Sequence, residues 1–88
     1  MQLTYSNQFK KDAKKAKKQH KNLDLITEVV GMLMQNQAIH SKFKDHALVG
    51  NYIGHREMHL EPDWLLIYKI NLEELRLVRL GSHSELFS

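Results

Sequence analysis

From Phe9 the apolar positions recur at spacings of four and three, through Ala13 and Ala16, while lysine fills most of the places between them. That spacing predicts an amphipathic helix from Gln8 to about His20, with a narrow apolar stripe and a wide cationic face. Ser6 stands where an N-cap belongs, because its hydroxyl can accept a free backbone N–H of the first turn. Ahead of it, Met1-Gln-Leu-Thr-Tyr5 alternates apolar and polar residues and suits one short strand. Asn22 and Asp24 mark the next start, and Ile26, Val29, Val30, Leu33 and Met34 follow at i, i+3, i+4, i+7 and i+8. The two valines and Gly31 lower helix propensity, so packing must hold this second helix. The pair reads as a helical hairpin.

After Gln37 the period changes. Leu48 to Leu60 holds Gly50 and Gly54 around Asn51 and Tyr52, which suggests a strand with a turn or bulge near its start. Glu61-Pro62-Asp63 is a turn, and Trp64-Leu-Leu-Ile-Tyr-Lys-Ile70 is the most β-like run of the chain. Asn71 to Glu74 turns again, Leu75 to Leu80 alternates as a further strand, and Gly81 ends it. A tail of Ser-His-Ser-Glu-Leu-Phe-Ser remains. The order β-α-α-β-β-β predicts an α+β domain, an antiparallel sheet with an N-terminal helical hairpin packed on one face. At 88 residues this is one domain, residues 1–88, burying roughly 60–65% of its unfolded surface. Stability should be marginal, and a partner that binds the folded state would add to it.

Charge sharpens the picture. Residues 1 to 21 carry seven lysines against Asp12 alone, a local +6, and the remainder nets −3. A uniformly basic coat is excluded, but a basic docking face on a nearly neutral body is not. Lys10, Lys11, Lys14, Lys15, Lys17, Lys18 and Lys21 have few acidic neighbours at i±4, where like charges destabilise a helix. An external polyanion would relieve that repulsion, and RNA phosphate is the obvious one. The absence of cysteine removes disulfides and thiolate zinc sites and fits a reducing compartment. No N-terminal stretch reads as a signal peptide and no run approaches the roughly 20 apolar residues of a membrane span. The expectation is a soluble, cytoplasmic protein without a membrane partner.

Four of the six histidines, His46, His55, His59 and His83, lie in the back half. Imidazole changes charge near neutral pH, so several together can move protons on both sides of a reacting phosphate. Alternation puts His55, Glu57 and His59 opposite Arg56, Met58 and Leu60, so His59 should stand on the face away from the helices. Pro62 then turns Asp63 back towards His59, where a carboxylate can orient an imidazole or take a proton. Trp64 offers a flat surface for an unstacked base. The plainer readings are a turn-starting Asp63 and a core Trp64. In the tail, Leu86 and Phe87 can anchor His83 over the open face, or form a terminal clasp beside an incidental histidine. Arg79 is placed to hold a phosphate; its alternative is a cross-strand ion pair with Glu57. His55 and His59 are roughly 13 Å apart along a strand at about 3.3 Å per residue, too far for one metal ion. Chelation would have to gather His46, His59 and His83 from three segments, so no metal or cofactor is expected.

Three motifs in this order, Lys44-Asp45-His46-Ala-Leu48-x-Gly50, Gly54-x-Arg56-Glu57-x-His59-x-x-Pro62-Asp63-Trp64-Leu-Leu-Ile-Tyr68-Lys69 and Arg79-x-Gly81-Ser82-His83-Ser-Glu-Leu86-Phe87, resemble the YafQ branch of the RelE/ParE toxin superfamily. The resemblance implies a RelE-like fold and a bacterial type II toxin. It further implies a ribosome-dependent endoribonuclease, an mRNA interferase that inhibits translation by cutting mRNA in the decoding site without metal. The RNA 2′-OH would attack the adjacent phosphate, giving a 2′,3′-cyclic phosphate and a 5′-OH. Carried over by position, His46, His59, Asp63 and His83 form the catalytic set with Arg79 on the phosphate, and Trp64 and Phe87 hold bases. The general base is Asp63 or a histidine beside it, and His83 is the general acid. The lysine helix would dock on ribosomal RNA of the 70S ribosome. A cognate antitoxin would cover the cleft and carry the pair to operon DNA. His55 departs from the pattern, where an aromatic or other residue is expected. The rival readings are a ParE-like gyrase-inhibiting toxin and a non-catalytic RNA-binding module.

Overall fold

The computed structural model describes residues 1–87. Ser6 caps the first helix as the sequence suggests, its Oγ accepting the Phe9 N–H at 2.9 Å. The chain runs β1 (Gln2–Tyr5), α1 (Asn7–Lys18), α2 (Asp24–Met34), β2 (His46–Ala47), β3 (Arg56–Glu61), β4 (Trp64–Ile70), β5 (Glu74–Gly81) and α3 (His83–Phe87). Single 3₁₀ turns at Ser41–Phe43 and Gly50–Tyr52 flank β2. The five strands form one sheet in the order β1-β5-β4-β3-β2.

The α+β architecture and the helical hairpin on one face are as expected. One pairing departs from an all-antiparallel sheet: β1 runs parallel to β5. The hairpin α1–α2 returns the chain to the far side, and β2 to β5 then come back strand by strand until β5 meets β1. The stretch 48–55 is not strand: it holds the 3₁₀ turn Gly50–Tyr52, with Gly50 and Gly54 at φ values of 70° and 87° that favour glycine. The tail is a helix, because Ser82 and Glu85 form a reciprocal capping box. Glu85 N–H donates to Ser82 Oγ at 3.3 Å and Ser82 N–H to Glu85 Oε1 at 2.9 Å.

Pleating sorts the side chains. Met58, Leu60, Trp64, Leu66, Tyr68, Leu75, Leu77 and Leu80 bury against Phe9, Ala16, Val29 and Leu33 of the helices. On the other face a smaller cluster of Leu65, Ile67 and Leu86 seats α3. A bulge breaks the alternation of β5, because Ile67 pairs with Arg79 but Tyr68 with Leu77. The extra residue, Val78, lets Leu77 and Leu80 share the helix face while Arg79 stands with Ile67 on the other.

Beyond β1 the outer edge of β5 has no strand partner among the described residues, and a carboxylate covers it. Asp12 of α1 accepts the Leu80 N–H at 3.0 Å and the Arg79 Nε–H at 2.9 Å. The lone acid among the lysines is therefore a fastening between α1 and the end of the sheet. Asp12→Ala would leave a largely buried guanidinium and a backbone N–H without their acceptor, a loss of about 1–3 kcal/mol. Urea unfolding checks this; a variant within ~0.5 kcal/mol of the parent would show that the edge closes without Asp12.

Candidate active site

The open face gathers residues from four segments. Lys44, at the left-handed φ of 50°, turns the chain into β2, and Asp45 pins that turn by accepting from the Tyr68 hydroxyl at 2.8 Å and from Arg56 Nε at 3.2 Å. Burial and the Asp45 carboxylate push the Tyr68 hydroxyl up, so it stays a donor. His46 follows, with Nδ1 2.7 Å from the Lys44 carbonyl. Pairing of β2 with β3 sets His46 directly opposite Glu57. Glu57 is 3% exposed, and its Oε1 lies 3.2 Å from His59 Nε2 and 3.7 Å from His46 Nε2. A carboxylate buried this deeply needs such partners.

A second cluster forms where β4 begins and α3 starts. Asp63 Oδ1 accepts both the backbone N–H of His83 at 3.0 Å and its ring Nδ1–H at 2.9 Å. These two bonds hold the Asp63 carboxyl below the usual carboxylate range. They also fix the ring so that Nε2 is the nitrogen left free. The His83 ring lies 5.7 Å, centroid to centroid, from His59, and His59 lies 5.9 Å from His46. Phe87 sits 6.3 Å beyond His83 and is 46% exposed as a residue.

His46, His59 and His83 thus come together as expected, with Asp63 at one end. Asp63 holds His83, however, and not His59, because the end of β5 brings α3 to the β3–β4 turn. Arg79 is paired with Asp12 and not with Glu57; that bond holds the guanidinium charged, with the Tyr52 hydroxyl also beside it. Trp64 departs from the expected base platform. It is 2% exposed in the helix-side core, where it lines a cavity of about 780 Å³ beneath Lys21. Leu65 rather than Trp64 follows His59 on the open face. Lys10, Lys11, Lys14, Lys15, Lys17 and Lys18 are exposed along α1, with Lys15 paired to Glu85 and Lys21 to Glu61.

Glu57 is the residue that sequence reasoning missed. Its alternation with His59 put it on the right face, but its contact with His46 depends on the β2–β3 register. The three groups His46, Glu57 and His59 offer donor atoms all within 4.8 Å of one another, a set that excludes His83.

Glu85 joins α3 to the lysine helix. Its bond to Lys15, backed by the Ser82 N–H, lowers its pKa from 4.5 to about 2. The folded value lies below the unfolded one, so this contribution to α3 docking is full above pH 4.5 and fades as pH falls towards about 2. Leu86 methyl shifts in NMR should follow that titration in the parent and not in Glu85→Gln. Identical profiles would mean that the carboxylate does not hold α3.

Comparison with known proteins bears on the chain as a whole. A family model for the bacterial toxin of type II toxin–antitoxin system, YafQ, matches residues 1–88. The mRNA interferase toxin YafQ of Escherichia coli is 41% identical over 86 residues, covering 97% of this chain and 94% of that protein. Among solved structures, the E. coli DinJ–YafQ complex superposes with a TM-score of 0.90 at 40% identity, covering 98% of this chain and 97% of that one. A metal-bound toxin from Helicobacter pylori does so with a TM-score of 0.92 at 46% identity, covering 99% of both.

Proposed function

The chain belongs to the YafQ family of type II toxins, and on that premise we propose that it is an mRNA interferase cutting messenger RNA in the ribosomal decoding site. The observation that carries the reading is the row of three imidazoles on one face, each end backed by its own carboxylate: His83 by Asp63, and His59 with His46 by Glu57.

A phosphate under attack needs a base on the side of the incoming 2′-OH and an acid on the side of the departing 5′-oxygen, with the two oxygens roughly in line. His59, or His46 beside it, takes the 2′-OH proton as the oxygen bonds to phosphorus. Glu57 supports the imidazolium so formed. His83 gives its Nε2 proton to the leaving 5′-oxygen, oriented by Asp63. With its pKa lowered and its Oδ1 occupied, Asp63 is a poor base itself, which moves the base role to the histidines. Arg79, reaching the site from β5, stabilises the charge that grows on the phosphate. The products are a 2′,3′-cyclic phosphate and a 5′-OH, and the chemistry calls for no metal.

The exposed lysines of α1 dock on ribosomal RNA phosphates and bring the open face to the decoding site. A cognate antitoxin binds the protein as DinJ binds YafQ; in this reading it covers the open face and carries the pair to operon DNA. Translation, and hence this reaction, places the protein in the cytoplasm.

His46, Glu57 and His59 also fit a divalent ion of the zinc or copper kind, two nitrogens and one oxygen. An ion there would occupy the imidazole lone pairs that the reaction needs, so it acts as an inhibitor.

Cleavage of a programmed mRNA on 70S ribosomes tests these points together. The parent should cut only with ribosomes present, and His83→Ala should bind them and not cut. Exchange of Lys14, Lys17 and Lys18 for glutamine should weaken ribosome binding and flatten its salt dependence by about one log–log unit per lost contact. Added Zn²⁺ should slow the cut and a chelator restore it, with assembled ribosomes checked throughout. Undiminished cutting by His83→Ala overturns the acid assignment, and a chelator that stops the toxin overturns the metal-free mechanism.

A further inference from the structure

The rings on the open face do not stop at the reacting groups. After His46, His59 and His83 the row continues through Phe87 to Tyr52 at 5.8 Å and from Tyr52 to His55 at 5.8 Å. Tyr52 meets Phe87 at 83° and His55 at 81°, edge to face in both directions. The proton transfers above use none of these last three rings.

Backbone geometry, more than burial, holds them in place. Gly50 and Gly54 bracket the turn in the left-handed region. Within it, Ile53 N–H donates to the Gly50 carbonyl at 3.1 Å and His55 N–H to the Tyr52 carbonyl at 3.0 Å. Leu48 N–H closes it onto the His55 carbonyl at 2.9 Å. Tyr52 and His55 are both half-buried, and the turn's Val49 and Ile53 stand 85% and 75% exposed. The Tyr52 hydroxyl lies beside Arg79, the cation assigned to the scissile phosphate. A group bound on these rings is therefore a neighbour of that phosphate along the RNA backbone.

We propose that Tyr52 and His55 extend the base-holding place already expected of Phe87 into a subsite for an unpaired RNA base adjoining the scissile phosphate, and that these two residues determine which base is favoured. The proposal rests on the interferase reading. An aromatic surface accepts any base by stacking, and the imidazole of His55 adds a hydrogen-bonding edge that can tell bases apart. Its Nδ1 leans on the Ile53 carbonyl at 3.4 Å, which leaves Nε2 for the base. A nucleobase suits the place better than an apolar protein segment because the row starts at the reacting imidazole and passes the phosphate-binding arginine. The odd histidine at position 55 is then part of the recognition surface.

The test is cleavage of mRNAs presenting different codons on 70S ribosomes by the parent, Tyr52→Ala, Tyr52→Phe and His55→Ala. Loss of one stacking partner should cost Tyr52→Ala about 10- to 100-fold in kcat/KM, chiefly through KM. Tyr52→Phe, which keeps the ring, should recover most of the KM lost in Tyr52→Ala, and His55→Ala should redistribute cuts among codons differing at the base beside the scissile phosphate. Should Tyr52→Ala fail to fold, as thermal melting would show, the redistribution by His55→Ala decides. Unchanged rates and cut patterns overturn the subsite while a cutting parent keeps the interferase reading. A uniform fall in kcat with KM and codon pattern unchanged would reduce Tyr52 to a prop for Phe87, which also overturns it. A parent that cuts nothing removes both.

Discussion

Asp12 is the point on which the arrangement turns. A helix covered in lysine has little reason to sit against a sheet whose end carries an arginine, since the charges repel. One carboxylate in the middle of α1 reverses this, taking the Arg79 guanidinium and the free Leu80 N–H together. The bond fixes the angle between the cationic helix and the last turn of β5. From that turn the chain passes directly through Gly81 into α3. Gly81 belongs to the same constraint: a Cβ there would meet Glu85 Oε1 at 3.1 Å and Leu86 Cδ2 at 3.3 Å, against the capping box itself. The surface read as docking on ribosomal RNA and the helix carrying His83 are thus parts of one rigid corner.

That corner explains how a small chain could build the proposed acid–base site on an open sheet face. The sheet supplies order through its pleat, sending apolar side chains to the helices and Glu57 and His59 to the other face. Two carboxylates then play different parts. Exposed Asp63 orients His83 through two hydrogen bonds to one oxygen, whereas buried Glu57 ties two imidazoles together. Environments that differ in this way suit groups that must give and take protons in the same reaction. Arg79, proposed to carry phosphate charge, reaches this face only because the bulge at Val78 turns it there.

Local features of the chain foretold much of this. The helices were legible because their apolar spacing and the Ser6 cap are written within a few residues, and β4 because its run is β-rich and closed by turns. Parallel pairing of β1 with β5 was not, since partners 72 positions apart, as Gln2 and Glu74 are, leave no local mark of direction. The bulge is visible in retrospect as the apolar pair Leu77-Val78 before Arg79, a break in strict alternation. Ser82 and Glu85 already form a capping-box spacing, yet a five-residue helix is too short to show a period. Of the site, the histidines and their shared face were legible. Their partners were not: Asp63 meets His83 and Glu57 meets His46 through strand registers that the fold decides. Trp64 misled because a strand buried on both faces shows no alternation, leaving its side undetermined.

The central claim is that the side chains on this face move protons for an attack by the RNA's own 2′-OH. End-group analysis of mRNA cut on 70S ribosomes in the presence of a chelator, beside the same message carrying a single 2′-deoxy nucleotide at the cut, tests it most directly. The account predicts 2′,3′-cyclic phosphate and 5′-OH ends, and no cut at the 2′-deoxy position. A 3′-OH with a 5′-phosphate, or cleavage that ignores the missing hydroxyl, would contradict it.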